Sequence, residues 1–125
     1  MLDLLLTGGS VITMDPQRRI IEDGAVGVEG NRIAFVGSAR EARGFAAKKT
    51  VDCKHHAIMP GFIDTHSHGG HGLIRASLLG NTSDWMAALT HVYNHYAYDE
   101  YWYYEGRLSA LDKLRSGVTT AVCFI

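Results

Sequence analysis

His66 and His68 stand one residue apart in the stretch PGFIDTHSHGG, Pro60 to Gly70. On a strand, residues i and i+2 face the same side, which places the two imidazoles roughly 6–7 Å apart along the chain. At that separation two ring nitrogens can converge on one divalent ion, and imidazole is among the commonest zinc donors. His66 and His68 are therefore the candidate metal ligands. Asp64, two residues earlier on the same face, is placed either to accept a hydrogen bond from an imidazole or to cap the following loop. His71, in GGHGL, is a candidate substrate contact, set against the ordinary fate of a loop histidine, which is solvation.

Other residues able to do chemistry are weaker candidates. His91 and His95 sit at i and i+4 on a helical segment, a spacing able to hold a metal. They lack the glutamate of an HExxH motif and suit a polar or interfacial face. Cys53 and Cys123 lie far apart, without a CxxC partner, and read as reduced thiols of a cytoplasmic protein.

The elements that must position these residues change character at Pro60. Before it the chain reads as β. DLLLTGG and SVITMDP are expected as two short strands broken at Gly8-Gly9, with a turn at Asp15-Pro16. GAVGVEGNRIAFVG reads as a hairpin around Gly30-Asn31, a pair that tolerates the positive φ of a tight turn. Residues 38–48 form a short helical or irregular crossing, and KTVDC a further strand.

After Pro60, GFIDTH reads as a strand buried on both faces, with Gly61 permitting close approach and a glycine-rich loop following from Gly69 to Gly80. TSDWMAALTHVYNHY carries Trp85, Leu89, Val92 and Tyr96 on one helical stripe. DEYWYYEGRLSALDKLRSG repeats the pattern with Tyr104, Leu108, Leu111 and Leu114, and Gly117 as its C-terminal stop. VTTAVCFI is a β-branched final strand. Strand, helices, strand predicts parallel pairing, and two strands cannot cover both faces of a parallel sheet. The chain is thus expected to be the front of a larger α/β barrel, a fold of on the order of 250 residues that carries its chemistry at the C-terminal ends of its strands.

PGFIDTHSH resembles the first barrel strand of the amidohydrolase superfamily of metal-dependent hydrolases and deaminases. GGSVITMDP, GAVGVEGNRIAFVG and VDCKHHAIMPGFIDTHSH resemble its N-terminal β-sandwich leading into the barrel, and LSALDKLRSGVTTAVCF its second barrel strand with the preceding helix. GLIRASLLGNTSDWM is most similar to the chlorohydrolase and cytosine-deaminase-like branch. The resemblance implies an α/β fold: residues 1–58 as part of a small β-sandwich, and residues 59–125 as the start of a TIM-like (β/α)8 barrel, truncated after its second strand.

It also implies that His66 and His68 ligate a divalent metal, zinc or else Fe2+, with the remaining ligands and the acid/base Asp and His downstream. The activity implied is hydrolysis of a C–N bond, by deamination or amide or amidine cleavage, in a cyclic, nitrogen-rich small molecule. Metal-activated water would be the nucleophile, and a carboxylate would carry the proton to the leaving group. The chain alone is expected to be inactive. Two alternatives stay open: a non-catalytic remnant or split-chain component that needs a partner, and a dihydroorotase- or hydantoinase-like enzyme with two metals. One departure stands out. Such proteins often carry glycine in the tight turn where this chain has Lys54-His55-His56, so a histidine at positive φ is expected there. Adjacent residues on a strand face opposite ways, which argues against His55 and His56 as a metal pair.

Bulk composition narrows the partners. With 125 residues, 46% hydrophobic, and a net charge of −1, the chain suits a globular core and a small-molecule substrate. The nearest basic cluster, AAKKT at Ala46–Thr50, is too short to track nucleic acid. The apolar start MLDLLLTGGSVITM carries Asp3 and breaks at glycine, so neither export nor membrane insertion is expected. The tyrosine-rich YNHYAYDEYWYY suits helix packing or a homodimer contact.

Overall fold

Apolar residues on both sides of the strands build the first sheet, Ala25 and Val26 falling in different buried clusters. A computed structural model describes residues 1–75 and 80–124, so part of the expected Gly69–Gly80 loop and the end of the final strand at Ile125 lie outside the described residues. The chain divides into two compact units, Met1–Pro60 and Gly61–Ile125. In the first, β1 (Leu2–Ile12), β2 (Ile20–Glu29), β3 (Arg32–Ser38), β4 (Ala47–Asp52) and the short β5 (Ala57–Ile58) form one sheet in the order β3-β2-β1-β4, with β5 also on β1. β1 and β2, and β2 and β3, run antiparallel, whereas β4 and β5 run parallel to β1. Leu2, Leu5, Ala25 and Ala42 form one buried cluster, and Val11, Val26 and Ile58 another.

Gly8-Gly9 does not break the strand. β1 runs through it with register shifts between Thr7 and Val11, correcting the expectation of two strands. Gly8 takes φ +86°, and a Cβ on Gly9 would lie 2.7 Å from the His56 carbonyl and 2.9 Å from that of Cys53. Glycine here admits a neighbouring backbone; it does not end a strand. The expected hairpin forms, with Glu29 opposite Arg32. Gly30 alone of the turn pair takes positive φ, at +57°; Asn31 does not. The Asp3 carboxylate accepts from the Gly30 N–H and from the Lys48 ammonium, each at 2.6 Å, tying the hairpin turn to β1 and β4. The crossing after β3 contains one helical turn, α1 (Ala39–Ala42), begun by a capping box in which Ser38 and Glu41 satisfy each other's backbone N–H. His55 adopts φ +66°, the positive value expected for this turn.

The second unit is β6 (Phe62–His68), α2 (Thr82–His95), α3 (Asp99–Arg115) and β7 (Val118–Phe124), with β6 and β7 parallel as expected. A Cβ on Gly61 would fall 2.8 Å from the Thr119 Cβ, which explains the glycine at the entry to β6. Asn81 opens α2 by accepting from the Asp84 N–H at 2.9 Å, and Gly117, at φ +78°, closes α3 by donating to the Leu114 carbonyl.

Two expectations are corrected. Within this chain β6 is not buried on both faces: among the described residues it has β7 as its one strand neighbour, and Ile63 is 67% exposed. The leucine stripe of α3 does not face inward either, since Tyr104, Leu111 and Leu114 are exposed. The inward face is Tyr101, Glu105, Leu108 and Asp112, again at spacings of 4, 3 and 4, sharing only Leu108 with the expected stripe. On α2, Leu89 is buried and Trp85 and Val92 half-buried, while Tyr96 is exposed. Among the described residues no helix is long and apolar enough to cross a membrane.

Candidate metal centre

Asp64 pairs with Ala121 and Ser67 with Cys123, so three steps along β6 match two along β7. The extra residue is a bulge in the segment that carries His66. Bulges re-aim side chains, and this one includes the first histidine of the pair. Asp64 accepts from the His66 backbone N–H at 3.2 Å, Ser67 donates to the Val122 carbonyl at 3.0 Å, and Gly69 donates to the Phe124 carbonyl at 3.2 Å. Asp64 therefore takes neither expected role: it bonds the backbone of the bulge within β6, not an imidazole and not the following loop. The rings of His66 and His68 sit 5.2 Å apart at an interplanar angle of 71°, both exposed at the C-terminal end of β6.

His71 is not a solvated loop residue. Its ring stacks on His68 at 4.9 Å and 12°, and Trp85 meets it edge-on at 4.9 Å. Burial, reinforced by nearby His68 and opposed by Glu105, holds its pKa below the usual histidine value, so the ring is neutral at pH 7. The Tyr93 hydroxyl donates to the Gly70 carbonyl. Burial first, then the charges of Tyr101 and Glu105, push the Tyr93 pKa up to about 12, so it remains a neutral donor. Beside these rings is a cavity of about 570 Å³, whose lining includes His68, His71, Tyr93, Trp102, Lys113 and Cys123.

His66, His68 and His71 are thus brought together. His55 and His56 are exposed in a turn of the other unit, where His56 Nδ1 lies 2.9 Å from the Lys54 carbonyl. His91 and His95 face each other at 4.6 Å, exposed on α2. Among the described residues no three His, Cys, Asp or Glu side chains group closely enough to hold a metal ion. The donor set offered by β6 is two imidazoles, which fits part of a zinc site and leaves the other positions to further groups. The sequence reading missed Glu105 and Tyr93. The signal for Glu105 was a carboxylate at i+4 from Tyr101 and i−3 from Leu108, on a helical face next to the expected leucine stripe.

With this geometry in place, similarity to known proteins becomes informative. Residues 57–125 match the profile of the amidohydrolase family. The chain belongs to that family. Over 80 residues it is 44% identical to imidazolonepropionase of Bacillus thuringiensis (strain Al Hakam), covering 54% of this chain and 19% of that protein. A zinc-bound adenosine deaminase from Xanthomonas campestris superposes with a TM-score of 0.91 at 28% identity, over 99% of this chain and 29% of that one. Atrazine chlorohydrolase from Arthrobacter aurescens TC1, complexed with zinc, gives a TM-score of 0.72 at 27% identity, over 94% and 28%. The chain therefore spans about a fifth of its curated relatives and less than a third of these structures. As a member of this family, the chain has the expected α/β architecture: part of a small β-sandwich, then β6 and β7 as the start of a TIM-like (β/α)8 barrel with α2 and α3 between them.

Proposed function

We propose that the natural protein carrying this chain is a metal-dependent hydrolase of C–N bonds in a cyclic, nitrogen-rich small molecule. The carrying observation is the exposed His66–His68 pair, 5.2 Å apart at the C-terminal end of a parallel strand, in a chain of the amidohydrolase family. Where an ion is bound, zinc in this reading with Fe2+ as the alternative, it supplies a water acidic enough to serve as nucleophile near neutral pH.

The chain's own residues do the rest of the local work. His66 and His68 hold the ion, and Asp64 fixes the bulge that aims His66. His71, Tyr93 and Trp102 give the adjoining cavity flat apolar faces that suit a planar ring and exclude water. His71, neutral at pH 7, offers a hydrogen bond there without bringing in a charge. The remaining ligands and the acid/base carboxylate belong to other residues of the natural protein. The closeness to imidazolonepropionase, a deaminase and a chlorohydrolase supports a heterocyclic substrate.

The test is direct. The natural protein, loaded with zinc, is assayed against amidines, aminated heterocycles and cyclic amides for ammonia release or ring opening. Turnover in at least one class is expected, lost on chelation and restored by metal. No turnover of any C–N substrate class overturns the proposal.

A further inference from the structure

We propose that Glu105 is a positioning residue, holding the segment from His68 to Leu73 in the conformation that presents His68 to the metal. This rests on the reading of His66 and His68 as ligands.

Glu105 is the one large side chain of the described residues that is fully buried, at 0% exposure. A buried carboxylate is costly unless its oxygens are satisfied, and an apolar residue would pack the same helical position without that cost. Among the described residues it has no cationic partner. Its oxygens instead take two successive backbone amides of the histidine loop: Gly72 N–H donates to Oε1, and Leu73 N–H donates to Oε2 at 2.8 Å. Successive N–H groups turned toward one anion form a nest, a conformation that the anion itself stabilises.

The loop is therefore pinned at three points within five residues. Gly69 is bonded to β7 through the Phe124 carbonyl, Gly70 accepts from Tyr93 of α2, and Gly72 and Leu73 are held by Glu105 of α3. The glycines make this possible. A Cβ on Gly70 would lie 2.8 Å from the Tyr93 hydroxyl, and one on Gly72 would lie 3.3 Å from Glu105 Oε1. His71 sits between the last two anchors and stacks on His68. Release of Gly72 and Leu73 therefore frees the ring that supports His68, a route by which α3 acts on the metal through backbone rather than through a ligand.

Glu105→Gln in the natural protein keeps the shape but leaves a single acceptor oxygen for two amides. Zinc affinity is expected to fall by about 10–100-fold, the range for loss of a group that orients a ligand. The visible spectrum of the cobalt-substituted protein should also change, at a circular dichroism spectrum like that of the wild type. The His66→Ala, His68→Ala double variant is measured alongside. If that variant keeps its zinc, the metal reading itself fails. If it loses zinc while Glu105→Gln binds zinc and cobalt as the wild type does, only the positioning role is overturned. Should Glu105→Gln not fold, amide exchange in the wild type decides: protection at Gly72 and Leu73 is expected, and unprotected exchange overturns the proposal.

Discussion

Replacing His66 and His68 together with alanine is expected to abolish stoichiometric zinc in the natural protein while leaving its metal-free form folded. Both side chains are exposed at the end of β6. The hydrogen bonds that secure the bulge come from Asp64, Ser67 and Gly69 through groups that alanine at 66 and 68 does not remove. The folding cost in the absence of metal is therefore that of ordinary surface substitutions, within about 0.5 kcal/mol each. Loss of the ion removes its contribution to the hydrolytic step. Several kcal/mol of transition-state stabilisation correspond to a fall in kcat/KM of roughly a thousandfold, at about 1.4 kcal/mol per tenfold. Metal content, kcat/KM and the melting temperatures of the metal-free forms separate the two effects. A variant that keeps both metal and activity is incompatible with the assignment, and one that loses metal only by unfolding shows that the pair is structural.

The second large effect belongs to stability. Leu5 lies in the cluster with Leu2, Ala25 and Ala42, and is 7% exposed. Its strand is the middle of the sheet, paired with β2 on one side and β4 on the other. Neighbours fixed by two ladders relax little into a void, so Leu5→Ala is expected to cost about 2–5 kcal/mol. Lys49→Ala is the contrasting case. Lys49 is exposed on β4 opposite Leu4, and its loss is expected to stay within about 0.5 kcal/mol. Urea denaturation of the natural protein, followed by a probe in the first unit, reads both. Equal midpoints for the two variants contradict the placement of the core.

Much of this architecture was legible in residue pattern. β-branched runs around Gly30-Asn31 gave the hairpin, the periodic segments gave α2 and α3 with Gly117 as a stop, and strand–helices–strand gave parallel pairing. The failures have physical causes. Gly8-Gly9 reads as a breaker, yet whether glycine ends a strand or admits a neighbouring backbone depends on residues far along the chain, here Cys53 and His56. The bulge at His66 was invisible because alternation reports which face a residue takes, not whether the partner strand keeps step. Helical periodicity likewise shows that a stripe exists without showing what it faces. On α3 that hid the inward position of Glu105, whose burial is made tolerable by amides more than thirty residues earlier. The histidine pair was legible as a possible site because its spacing is short-range. Its aromatic surroundings, from α2 and α3, were not.

Crystals of the natural protein grown with zinc and measured at the zinc absorption edge address the central claim most directly. An anomalous peak is expected within bonding distance of one ring nitrogen of His66 and one of His68. A fully occupied peak elsewhere, with both rings free of metal, contradicts it.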